Sequence, residues 1–158
     1  MEADLIGFID AIQRLPDAIL SSYEVTAMGA FVLIQNRIQE HGQSHDGQPL
    51  EAIKPYSKKY LDFKSNPPPG SGMKNRYRGF IDYTLTGRMW SNIQQKNADL
   101  TGQTVMIVIG ATSEDNQKKL NNLARLWEDP FLLGDQEIQI SAETLDEELQ
   151  RHLDQLFR

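Results

Sequence analysis

The sequence predicts an α+β domain. Long N-terminal helices and a C-terminal helix are expected to pack on a small antiparallel β-sheet, with a long basic loop containing proline and glycine between them. Three observations carry this expectation. Ala27, Phe31, Ile34 and Ile38 recur at steps of four, three and four, a sustained helical stripe. Thr104 to Ile109 is β-branched and almost wholly apolar behind a turn at Thr101-Gly102, as in a hairpin strand. Leu145, Leu149, Leu153 and Leu156 repeat at helical spacing close to the end of the chain.

Taken in order, residues 3–15 read as a short amphipathic helix with Leu5, Ile6, Phe8, Ile9 and Ile12 on one broad face. Pro16 is expected to break it and to open a second helix over about 17–41, since proline is tolerated in a first turn. Gly42 supplies the left-handed stop. An irregular stretch follows over about 43–78. It holds the turn signal Asp46-Gly47, one or two helical turns from Ser57 to Phe63 capped by Ser57, and the run Pro67-Pro68-Pro69-Gly70-Ser71-Gly72. Leu85 to Ile93 reads as a short helix or turn. Strands are expected over about 91–98 and from Thr104 to Ile109, the second buried on both faces and ended by Gly110. A polar helix over 113–127 turns Leu120, Leu123, Ala124 and Trp127 inward. The last helix is placed over about 142–157, with Thr144 and Glu147 at capping-box spacing.

The 158 residues are enough for a core without staples. With no cysteine there is neither a disulfide framework nor thiolate chemistry. The net charge of −6 argues against a general nucleic-acid binder, and the mean hydropathy of −0.50 describes a polar surface. No run approaches 18 continuous apolar residues, so no membrane span is expected. The acidic start at Glu2 and Asp4 is unlike a signal peptide and points to assembly in a cytoplasm. Charge is unevenly spread. Residues 50–90 hold eight basic and three acidic side chains, a net of +5; residues 112–158 hold five basic and eleven acidic, a net of −6. Two solvated faces explain this blandly. A head-to-tail contact, basic middle on acidic tail, explains it more sharply, and such contacts close into rings when the rotation closes.

Three motifs stand in a fixed order. After Gly42 come Asp46-Gly47-Gln48-Pro49-Leu50 and Ile53-Lys54-Pro55-Tyr56-Ser57-Lys58-Lys59-Tyr60. Next is Leu85-Thr86-Gly87-Arg88-Met89-Trp90-Ser91-Asn92-Ile93. Asp129-Pro130-Phe131-Leu132-Leu133-Gly134 then precedes the terminal helix. With the expected hairpin between the second and third, this set resembles the phage virion morphogenesis and tail-completion proteins, the neck and head–tail joining proteins of tailed phages. The likeness spans roughly residues 20–157. It departs from the family at Asp129, where arginine is common, and at the bulky Gly87-Arg88-Met89-Trp90. Residues 1–16 then read as an N-terminal helical extension and 17–158 as a tail-completion-like α+β domain. The resemblance implies a structural virion protein without catalytic, cofactor or metal residues. It implies a ring, of six copies, at the tail end or head–tail interface, assembled in the host bacterial cytoplasm. Partners would be further copies of itself and other neck or tail proteins, such as tail tube, terminator or connector, with passing contact with DNA and none with a membrane. Residues expected at contacts are Lys54, Lys58, Lys59, Arg76, Arg78, Arg88 and Trp90, because Arg and aromatic side chains dominate interface hot spots. For Trp90 and Phe80 the competing reading is an ordinary place in the core.

Two other classes stay open. One is a nucleic-acid-binding module that uses the basic segment 54–88 with Tyr56, Tyr60, Tyr77 and Tyr83 as stacking platforms. The other is a small metal-dependent enzyme using His41, His45 and Asp46. Gly42 interrupts that spacing, and solvated histidines are the plainer reading, as for His152. The chain has no nucleophile elbow and no phosphate-cradling glycine loop.

Overall fold

The structure is a computed structural model. It describes residues 2–71, 77–84, 89–127 and 129–158, with side chains from Ile6 onward in the first helix. The fold is α+β: a long N-terminal helix and a C-terminal helix packed with a two-stranded antiparallel sheet.

Helix α1 runs without interruption over Glu2–Asn36, about 52 Å at 1.5 Å per residue. Pro16 sits inside it, so the expected break is absent. Proline removes one backbone donor and crowds the carbonyl four residues earlier, which belongs to Ile12. Both residues are exposed, so the freed carbonyl is open to solvent. Arg37–His41 winds on as one π turn. Gly42 ends it at φ +63°, and its amide bonds back to the Ile38 carbonyl at 3.1 Å. A Cβ there would lie 2.7 Å from the Phe80 ring, so both the conformation and the contact require glycine.

The segment after Gly42 is tied down locally. Asp46 accepts from the Ser44 hydroxyl and, at 3.1 Å, from the Gln48 amide, closing the turn at Gly47. Helices α2 (Leu50–Ile53) and α3 (Lys58–Ser65) follow, the latter capped by Ser57 as expected. Strands β1 (Ile93–Thr101) and β2 (Thr104–Ala111) form the hairpin, with a bulge at Lys96. The expectation of burial on both faces fails for β2. Met106 and Val108 are 53% and 38% exposed, while Val105, Ile107 and Ile109 turn to the half-buried side. A two-stranded sheet covered by helices on one side leaves its other face open.

Helix α4 spans Glu114–Leu126, capped by Ser113. Helix α5 spans Asp135–Leu156 and starts seven residues before the expected position. Gly134 is its cap residue, and Glu137 reaches back to the Gly134 amide at 2.9 Å. Thr144 lies inside the helix and donates to the Ile140 carbonyl. The leucine stripe begins only at Leu145, whereas the first turns carry Ile138 and Ile140 exposed.

α5 lies antiparallel along α1. The Arg37 Nε–Glu137 bond (2.8 Å), the Ser22 Oγ–His152 Nδ1 bond (2.7 Å) and the Phe8–Phe157 ring pair (6.0 Å) follow one another down the helix pair. His152, expected to be solvated, is thus an interhelical contact. The buried cluster of Ile34, Ile38, Leu50, Ile81, Tyr83, Met89, Trp90 and Trp127 gathers at the C-terminal end of α1. Toward its other end α1 is wet, with Ile6 68% exposed. By length and composition alone, Ile6–His41 includes a window apolar enough to cross a membrane, although polar residues interrupt its apolar run.

Candidate interface and aromatic groove

The residues expected at contacts are placed unevenly. Lys54, Lys58 and Lys59 stand exposed at α2 and α3, and the Lys54 carbonyl accepts the Trp127 indole N–H at 2.9 Å. Arg78 is exposed and paired with Glu40 at 2.9 Å; that bond holds the Glu40 carboxyl below the usual range. Arg78 also lies over the Phe80 ring, 5.4 Å from its centroid. Arg76 and Arg88 lie outside the described residues. Trp90 is only 5% exposed and packs between Phe31 and Phe131, at 6.1 and 6.2 Å. Phe80 is half-buried against Gly42. Of the four tyrosines considered as stacking platforms, Tyr83 is buried and Tyr56 is packed edge-on to Tyr60 and Trp127. Tyr77 donates to Glu51.

Between α2–α3 and α4 opens a groove of about 860 Å³, floored by Tyr56, Tyr83, Trp90, Leu123 and Trp127. Its rim is polar, with Lys54, Lys119, Asp115 and Asn122. The floor holds the Trp90 indole N–H and the Tyr56 and Tyr83 hydroxyls, none with a hydrogen-bond partner of ordinary geometry among the described residues. Burial pushes both hydroxyls far above the ordinary tyrosine range, and for Tyr56 the Asp82 charge adds to the effect.

Under Tyr56 lies a feature the sequence did not announce. Lys64 and Asp82 are fully buried and form an ion pair, with the ammonium 5.3 Å from the Tyr56 ring centroid. Asp82 also accepts from the Thr84 amide, while its second carboxylate oxygen is unmatched. Lys64 had been counted among the surface charges of the basic segment. Nothing in its neighbourhood of lysines and tyrosines marks it as buried; only the fold of 77–84 over α3 does so. Arg37 was missed in the same way. It donates to Glu137 and to the carbonyls of Gln43, Pro130 and Leu132, tying α1 to the turn before α5. His41 is exposed, His45 is half-buried with Nδ1 unmatched, and Asp46 is occupied by its own turn. Among the described residues no three His, Asp or Glu side chains gather as a ligand set.

No protein-family model, curated protein or solved structure matches the chain.

Proposed function

We infer that this chain is a self-assembling structural subunit, a ring-forming protein of the neck or tail end of a tailed-phage particle. One observation carries the self-assembly. The accessible surface is 10406 Å², whereas a compact monomer of 18.0 kDa exposes about 8,000 Å². The excess of about 2,400 Å² is of the order of what a subunit loses in two or three standard interfaces, at about 800 Å² each. A ring subunit with two different faces needs two of them. The surplus includes large apolar side chains on α1, β2 and α5, among them Val32, Met106 and Ile138. The phage assignment rests on the ordered motifs through Tyr60, Ile93 and Gly134 and on their resemblance to the tail-completion family. The role that follows is mechanical: copies of the chain close a ring that caps a tail or mates it to a head.

The experiment is the mass of the purified chain by light scattering on a sizing column across a salt series, followed by electron microscopy with isolated tails. The expected result is a discrete oligomer, about 108 kDa for six copies, that loosens as salt rises and decorates tail ends. A monomer at every concentration that ignores tails sinks the reading. A monomer that floats with lipid vesicles would transfer the apolar side of α1 to membrane binding.

A further inference from the structure

The first turns of α1 are apolar on a side that nothing among the described residues covers. Ile6, Ile9 and Ile12 follow at three-residue steps, all exposed, with Phe8 beside them. The end of α5 lies alongside Arg14, where Gln155 and Leu156 share a cleft with it, and Ala11 is buried, so one side of these turns is covered while the Ile6–Ile9–Ile12 side stays open. Phe157, just past α5, reaches back only to Phe8. At the other end of the rod lies the aromatic groove, whose Trp90 floor touches Phe31.

We propose that the N-terminal arm of α1, residues 2–15, docks in the aromatic groove of a second copy of this chain. Ile9 and Phe31 are separated by about 33 Å of unbroken helix, so an arm cannot fold back into its own groove. The occupant therefore comes from another molecule. Its chemistry fits the groove, with branched apolar side chains for a floor of Tyr56, Tyr83, Trp90 and Trp127. Charge fits as well. Residues 2–15 carry Glu2, Asp4 and Asp10 against Arg14, which lies 3.8 Å from Asp10, a net of −2, while Lys54 and Lys119 stand on the groove rim beside the single carboxylate of Asp115, with Lys58 and Lys59 exposed on α3. Because donor and acceptor lie at opposite ends, each copy offers an arm forward and a groove behind. This is a heterologous contact, which closes into a ring or runs on as a filament. The proposal rests on the self-assembly reading above and names its contact.

The test uses two full-length variants with native far-UV spectra: Ile9→Asp with Ile12→Asp, which spoils the arm, and Lys54→Glu with Lys119→Glu, which reverses the charge of the groove rim. Each alone should fall from the wild-type oligomer to an 18.0 kDa monomer. Mixed in equal amounts they should form dimers and nothing larger, because the mixture contains one sound arm and one sound groove per pair. Variants that keep the wild-type mass overturn the arm contact while leaving self-assembly standing. Monomeric variants that do not pair on mixing overturn it too, since arm and groove then do not meet. A monomeric wild type removes the proposal and the self-assembly reading together.

Discussion

At Lys64 a single side chain decides the local energetics. An ammonium with no exposure is tolerable only because Asp82 meets it and the Tyr56 ring lies alongside. Lys64→Met leaves Asp82 charged and buried, and the expected loss is about 3–5 kcal/mol in urea unfolding. The double variant Lys64→Met with Asp82→Leu should recover most of that loss. If it is no more stable than Lys64→Met alone, the pair is not the source of the cost. The tyrosines above it set a second expectation. Tyr56 and Tyr83 ionise in the unfolded chain near the ordinary value of 10 but stay neutral in the fold. Above that value the unfolded chain releases protons that the folded chain keeps, so stability is intact below about pH 10 and falls as pH rises beyond it. Denaturation midpoints between pH 8 and 11 should be flat and then decline. A midpoint that rises across pH 10 contradicts the burial of these hydroxyls.

Among the elements, the junction of α1 with α5 depends on Arg37. One guanidinium serves Glu137 and three carbonyls while only 12% exposed. Arg37→Leu leaves Glu137 Oε1 and those carbonyls without the guanidinium and the Glu137 charge without its partner, and a loss of about 3 kcal/mol or more is expected by chemical denaturation. A change under 1 kcal/mol would mean that water replaces the guanidinium. The helices were legible where a cap or an inward stripe marked them: Gly42 after Ile38, Ser57 before α3, and Leu120 and Leu123 within α4. The stop at Pro16 was misread, because proline's usual effect on a helix is softened where water reaches the freed carbonyl. The start of α5 was misread because its cap is a glycine served by Glu137, which no side-chain cap signals. The open face of β2 was hidden by composition: Val105 to Ile109 reads the same whether one side or both are covered.

For the whole molecule, charge counts located the basic middle but not its partners inside the chain. Arg78 is held by Glu40 and Lys64 by Asp82, so the free cations reduce to fewer than the sequence suggests. The groove was not legible at all. Its floor joins Tyr56, Tyr83, Trp90 and Trp127 from four stretches of chain, and no local spacing records that meeting.

Unbroken over 35 residues, α1 is also a ruler. If its first turns hold a neighbour, the distance between neighbours is fixed by a count of residues. Seven residues inserted between Gln13 and Arg14 would lengthen the arm by about 10.5 Å and turn its apolar side by only about 20°. Assembly should persist with a changed number of copies, seen as a new discrete mass by light scattering. An unchanged copy number would mean that the spacing is set elsewhere. Ring diameter would then be a property written along one helix, adjustable by insertion without redesigning either contact face.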